Sequence, residues 1–350
     1  MTISENPLRS LLAEKGVLLA DGATGTNLFE MGLVSGDAPE LWNVEHPERI
    51  ALLHRRFIEA GADIVLTNSF GGNAYRLKLH QAQSRVAELN EAAARIARAE
   101  ADASGREVIV AGSIGPTGEV LQPVGALGAE DAQAAFAEQA QALARGGADV
   151  LWIETMSSKE EVAAAVAGAA VAGLPIVCTM SFDTHGSTMM GVTAKDFVAF
   201  ERQLPQRLSA CGSNCGVGAA EVVAGMLNMS RHAEPGTVLV AKGNCGVPKF
   251  VDGAIRYDGT PELMAVYARL ALDAGARIIG GCCGTTPEHL RAMRNALEAH
   301  ARAAPPTMDE VEAQLGDVTR GAKALWQGVE ADPAAPRRGR GARGAARTAP

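Results

Sequence analysis

The feature that most constrains this chain is a regular alternation of two residue patterns. Short apolar, β-branched runs lie at 17–22 (VLLADG), 63–70 (DIVLTNSF), 108–115 (VIVAGSIG) and 149–156 (DVLWIETM), and again at 175–182, 209–216, 237–244 and 277–284. Ala- and Leu-rich stretches fill the intervals at about 47–60, 82–103, 129–146, 158–172, 194–204, 218–229, 260–274 and 286–302. The first pattern suits strands buried on both faces, and the second suits helices. Several helical stretches end in glycine just before the next run, as in EAGAD, RGGAD and DAGAR. Glycine there takes the left-handed conformation that closes a helix. Eight such units within residues 17–302 predict a closed (β/α)8 TIM barrel over 1–303. An open doubly wound sheet has the same alternation, but its Gly-x-Gly-x-x-Gly fingerprint is missing after the first run, which continues DGATGTNL.

The remainder of the chain does not alternate. Residues 304–328 are expected to form a C-terminal arm, with one helix over 309–328 carrying Leu315, Val318, Leu325 and Trp326. That arm would dock on the barrel or on a second copy in a homo-oligomer. Residues 329–350 are rich in Arg, Pro, Gly and Ala and predict a disordered tail. With 32 basic and 40 acidic residues the net charge is -8. Nucleic-acid binding, which needs concentrated basic surface, is therefore not expected of the barrel. No run reaches the roughly 18 apolar residues of a membrane span. The N-terminus, MTISENPLRSLLAEKG, lacks the basic start and apolar core of a secretory signal. A cytoplasmic protein is expected.

Barrels of this kind carry their chemistry at the C-terminal strand ends. Here those ends read ADGATGT, TNSFGGN, GSIGPTG, IETMSS, SFDTHG, SNCGVG, GNCGVP and GGCCGTT. The six cysteines are Cys178, Cys211, Cys215, Cys245, Cys282 and Cys283, and all but Cys178 and Cys211 fall at such ends. Neighbouring strand residues point to opposite faces, so Cys282 and Cys283 can share one ion only if the backbone turns beside them. Gly280, Gly281 and Gly284 supply that freedom. Cys215, two strands away, can complete a three-sulfur set. Three thiolates with an open fourth position fit a catalytic Zn²⁺, whereas a structural zinc closes its tetrahedron with a fourth protein ligand. Chemically idle, packed thiols are the alternative, and Cys245 is read as packing or pocket lining.

Sulfur ligands suit a sulfur substrate. A free thiol titrates at about 8.5, and a coordinated thiol loses its proton outright. Such a site would present a thiolate to an electrophilic carbon, of which an activated methyl group is the simplest.

With these residues in view, the chain resembles the homocysteine S-methyltransferase family, zinc-dependent barrel enzymes that make methionine. The matching motifs are ADGATGTNL at 20–28, EAGADIVLTNSFGGN at 59–73, IETM at 153–156, NCGVG at 214–218 and GGCCGTTPEHL from Gly280 to Leu290. The resemblance implies zinc ligands at Cys215, Cys282 and Cys283, the trio already singled out. It implies that Glu154 receives the substrate ammonium and that Asp21 and Gly22 line the homocysteine pocket. Asn68 and Asn244 are expected as polar pocket residues.

For the methyl donor, LWNVEHPERIALLHRRFIEAG at 41–61 is similar to the betaine-using branch. That likeness places Trp42 against a quaternary ammonium by a cation–π contact, with Phe29, Phe70, Tyr75 or Phe182 as further aromatic walls. Betaine is the expected donor. DGATGT and CCGTTPEH are also similar to the homocysteine module of cobalamin-dependent methionine synthase, and the betaine branch tends to carry a tyrosine where this chain has Gly71. A separate methylcobalamin-carrying protein is thus the alternative donor partner, and S-methylmethionine a third donor. Two other classes compete: a barrel binding phosphorylated metabolites through the GNCG and GGCCG loops, and a scaffold or RNA-associated protein acting through the Arg-rich tail.

Overall fold

In a computed structural model, which describes residues 6–246, 249–251 and 254–329, the alternation forms the expected barrel. Its strands are β1 (Leu18–Leu19), β2 (Ile64–Leu66), β3 (Ile109–Ile114), β4 (Val150–Met156), β5 (Ile176–Met180), β6 (Ala210–Cys215) and β7 (Leu239–Gly243). A two-stranded hairpin follows, β8 (Lys249–Val251) against β9 (Ala254–Arg256). The eighth barrel strand is then β10 (Ala276–Gly281). All barrel neighbours pair in parallel, in the order β1-β10-β7-β6-β5-β4-β3-β2. A parallel bridge between Ala20 and Ile64 closes the ring, with Asp21 N–H on the Ile64 carbonyl at 2.9 Å and Asp63 N–H on that of Leu19 at 2.7 Å.

The eight helices lie close to their expected places. They are Pro47–Glu59, Val86–Ala103, Ala129–Arg145, Lys159–Ala170, Ala194–Glu201, Ala219–His232, Pro261–Asp273 and Pro287–Glu298. Alternate strand residues fill the barrel: Ala20, Leu66, Ala111, Trp152, Val177, Val240 and Ile278 form an inner cluster. An N-terminal helix, Pro7–Lys15, adds Leu8, Leu11 and Leu12 to it. The outward-facing residues of the strands pack against the helices in a second, larger cluster.

Three features depart from expectation. The strands nearest the seam are short, because their expected C-terminal halves turn away early to build the mouth. The hairpin had no signal in the alternation, being a single short excursion before Thr260. The arm is two helices, Met308–Leu315 and Arg320–Trp326, broken where Gly316 adopts φ +95°, which only glycine takes without strain. The arm docks on the helix Ala219–His232: Thr319 N–H donates to Glu221 at 2.6 Å, and the Arg231 guanidinium stacks 3.6 Å from the Trp326 ring. Beyond Val329, the expected tail lies outside the described residues. Among the described residues, no helix is long and apolar enough to cross a membrane.

Candidate metal centre and substrate site

The three expected thiols meet. Cys215 Sγ lies 3.0 Å from Cys282 Sγ and 3.9 Å from Cys283 Sγ, and all three sulfurs fall within 4.8 Å of one another. No other group of three metal-ligating side chains converges in this way among the described residues. The backbone shows how it is done. Cys215 ends β6 at φ +60°, a left-handed conformation unusual for a residue with a side chain, and Gly216 follows at +71°. Cys282 N–H stays on the Gly243 carbonyl at 2.8 Å, and the chain then turns through Gly284 at φ +80°. A Cβ at Gly284 would sit 2.4 Å from the Tyr257 ring, and one at Gly281 2.3 Å from Thr285. The glycines therefore give both turning freedom and close approach.

The donor set fits a soft cation. Tetrahedral zinc with Zn–S bonds near 2.3 Å separates its sulfurs by about 3.8 Å, a spacing that the trio approaches. The electrostatics agree. Hydrogen bonds from Cys215 and Cys282, and one from the Tyr257 hydroxyl, hold the Cys283 thiol well below its usual range. Cys215 is pushed up by its bonds to Cys282 and Cys283 and by burial. Cys282 is also raised: the lowering effect of its bond to Cys215 is outweighed by Cys283 and burial. Three thiols this close share one proton-poor member, and only a cation would let all three ionise. Cys245 stands apart, 1 % exposed, with its thiol 3.3 Å from the Gly259 carbonyl. Cys178 and Cys211 pair in register on β5 and β6 and are buried core residues.

Glu154, on β4, is 8 % exposed and takes a 2.5 Å hydrogen bond from Ser113 Oγ on β3. Burial pushes its carboxyl up to about 7; Lys242 pulls the other way, Cys282 adds to the rise, the Ser113 bond opposes it and Asp21 adds again. Its strand end is fixed by Asn214, whose Oδ1 accepts from Thr155 N–H at 2.8 Å and Thr179 Oγ at 2.7 Å. Asn214 precedes Cys215, so one residue joins the carboxylate side of the mouth to the thiol side.

The other expected pocket residues are placed differently. Asp21 is 2 % exposed; its Oδ1 accepts from Lys242 Nζ at 2.8 Å and its Oδ2 from Leu66 N–H at 2.7 Å. At Gly22 a Cβ would meet the Phe57 ring and the Thr285 carbonyl at 2.8 Å, so close packing requires glycine. Asn68 gives both amide hydrogens to the scaffold, to the Pro39 carbonyl at 2.7 Å and Asn43 Oδ1 at 2.9 Å. Asn244 bridges two loops, donating to the Gly216 carbonyl at 2.8 Å and accepting from Cys283 N–H at 3.0 Å. Trp42 is 7 % exposed, with Arg49 4.7 Å over its ring and His46 edge-on at 4.9 Å. A protein cation thus stands over one face of the ring expected to meet a quaternary ammonium. Phe182 is buried, whereas Phe29 and Phe70 are exposed.

Sequence reasoning passed over Lys242, Tyr257, Ser113 and Asn214. The only signal for Lys242 was a lone charge ending an apolar run, TVLVAK, and Asn214 stood unremarked beside a singled-out cysteine.

A sequence profile described as homocysteine S-methyltransferase matches residues 18–297. The chain belongs to the homocysteine S-methyltransferase family. Methionine synthase from Mycobacterium tuberculosis is 31 % identical over 310 residues, covering 84 % of this chain and 25 % of that protein. The same figures hold for methionine synthase from Mycobacterium leprae. The chain thus spans about a quarter of the length of these curated relatives. Among solved structures, the metallated form of the homocysteine methyltransferase MmuM from Escherichia coli is 27 % identical, with a TM-score of 0.69, covering 83 % of this chain and 99 % of that one.

Proposed function

We propose that this protein is a zinc-dependent, cytoplasmic homocysteine S-methyltransferase that makes methionine, with betaine as the methyl donor. The observation that carries the reading is the convergence of Cys215, Cys282 and Cys283 on one point at the C-terminal mouth of the barrel. Cys215, Cys282 and Cys283 would hold a zinc ion, which would supply the Lewis acidity that lowers the pKa of a substrate thiol. The chain's own residues do the rest. Glu154 holds the substrate ammonium by a charge-assisted hydrogen bond. The turns at Gly216 and Gly284 keep the thiols in place, and the barrel rim aligns donor and acceptor, an effect worth several kcal/mol in favourable cases. No general acid is needed, since breaking the N–CH3 bond of betaine as the S–CH3 bond forms releases dimethylglycine with its nitrogen as a neutral amine.

Arg49 lies over one face of Trp42, so an exposed aromatic face is the second candidate, beside Trp42, for the donor's cationic end. Phe70 suits it: its ring lies against Gly115, where a Cβ would be 2.6 Å away, at the end of the strand that carries Ser113. Cysteines without disulfides among the described residues suit a reducing compartment.

A second reading is favoured by the relatives named methionine synthase: the chain activates homocysteine for a methyl group carried on cobalamin by another domain or protein. Methionine formation from homocysteine by zinc-loaded protein, with betaine as sole donor, tests the first reading. Turnover with methylcobalamin and none with betaine would replace it by the second. Protein that takes up no zinc would overturn both.

A further inference from the structure

Lys242 is a fixed cation at the floor of the site. It lies two residues before Asn244 on β7 and is 2 % exposed. Its Nζ is 2.8 Å from Asp21 Oδ1, 3.3 Å from the Asp21 carbonyl and 5.6 Å from the centre of the Trp152 ring. Two carboxylates, Asp21 and Glu154, therefore flank the mouth with unequal freedom. Asp21 is engaged at both oxygens, one by Lys242 and one by Leu66 N–H. Glu154 is bonded at Oε1 by Ser113, and its other oxygen has no hydrogen-bond partner among the described residues.

A ligand ammonium approaching Asp21 would meet the Lys242 ammonium at close range in a poorly screened interior, and like charges there repel strongly. Approaching Glu154 it would meet an open oxygen. A buried ion pair is a poor source of stability compared with apolar residues of the same volume, which leaves positional selectivity as what this one can supply.

Resting on the reading that the substrate is homocysteine, we propose that Lys242 is a positioning and specificity residue that silences Asp21. Glu154 is thereby left as the single carboxylate open to the amino group, and the sulfur is directed at Cys215, Cys282 and Cys283. Without Lys242, two buried carboxylates would compete for one ammonium, and the amino acid would sit lower and off line. The charged or titratable groups that act on Glu154 or feel it include Lys242 on β7, Asp21 just after β1, and Cys282 and Cys283 after β10. Of these, only Lys242 is cationic.

The test compares two probes on the full zinc-loaded chain, homocysteine and 4-mercaptobutanoate, the same thiol acid without its amino group. In Lys242→Met, homocysteine should bind about 10-fold or more weakly, with 4-mercaptobutanoate unchanged within about twofold, since only the ammonium is misdirected. That variant strands a buried Asp21 and can fail to fold, so Lys242→Met/Asp21→Asn is measured beside it. With both charges gone, the double variant should bind homocysteine to within about threefold of wild type. Equal loss of both probes in a folded variant, wild-type homocysteine affinity in folded Lys242→Met, or a folded double variant still 10-fold weak for homocysteine would each overturn the proposal. Wild-type protein that binds neither probe overturns the homocysteine reading, and the positioning role with it.

Discussion

Asn244 Oδ1 accepts the amide hydrogen of Cys283 at 3.0 Å while its Nδ2 donates to the Gly216 carbonyl at 2.8 Å. One side chain thus ties the loop that carries Cys215 to the loop that carries Cys282 and Cys283. Partners that orient ligands from behind typically change metal affinity by about 10- to 100-fold when removed. Asn244→Ala should keep its fold, as judged by circular dichroism, and lose zinc affinity by that factor in competition with a chromophoric chelator. Unchanged affinity would show that the turns at Gly216 and Gly284 hold the thiols unaided.

Removing a thiol is a sharper change. Cys215→Ala, Cys282→Ala and Cys283→Ala should each abolish stoichiometric zinc, measured by plasma emission spectrometry, and methionine formation with it. Cys178→Ala is the control, since Cys178 is buried on β5, in register with Cys211 on β6. It should keep its zinc and its activity and lose only stability, by about 1 kcal/mol for the small cavity.

The distribution of what could and could not be read from sequence follows from range. The strands and helices were legible because apolar periodicity is a local property, repeated eight times. The thiol trio was legible because two of its members are adjacent in sequence and glycines flank them, so local geometry limits where their sulfurs can go. The Lys242–Asp21 pair spans 221 residues, and nothing near either residue announces the other. Asn68 and Asn244 looked alike in sequence, as polar residues at strand ends. Only the fold reveals that both are spent on backbone and neighbouring amide groups. Trp42 shows the same limit of range: its loop resembles a donor loop, and only the fold reveals that Arg49, in the next helix, lies over one face of its ring.

Glu154 predicts a pH dependence. Binding the substrate ammonium requires the carboxylate, and burial raises the carboxyl to about 7 in the metal-free chain. Homocysteine kcat/KM should therefore rise with pH along a limb near that value. Glu154→Gln should flatten the limb and raise KM by about 30-fold or more, as expected for a lost buried charge contact of about 2 kcal/mol. The sign for folding is opposite: an acid whose folded pKa is raised costs stability as pH rises from 4.5 toward 7. Metal-free protein should therefore unfold at lower denaturant at pH 7.5 than at pH 5.5 to the extent that Glu154 dominates, and Glu154→Gln should narrow the difference. A limb unchanged in Glu154→Gln would assign the titration elsewhere.

The arm gives the last prediction. Val311, Leu315, Val318 and Ala322 are buried, and helix Ala219–His232, against which the arm docks, begins four residues after Cys215. Glu221 in the first turn of that helix accepts the Thr319 amide at 2.6 Å, so the arm holds the very end that leads out of the thiol loop. Full burial of each large aliphatic side chain is worth about 1.5–3 kcal/mol. Truncation after residue 306 should therefore lower the melting temperature by roughly 5 °C or more. Glu221→Gln separates packing from positioning, because it keeps the apolar contacts and weakens only the tie to Thr319. If the arm steadies the Cys215 loop, this variant loses zinc affinity severalfold at nearly unchanged melting temperature. If it loses neither, the arm serves only to cover apolar surface of the barrel.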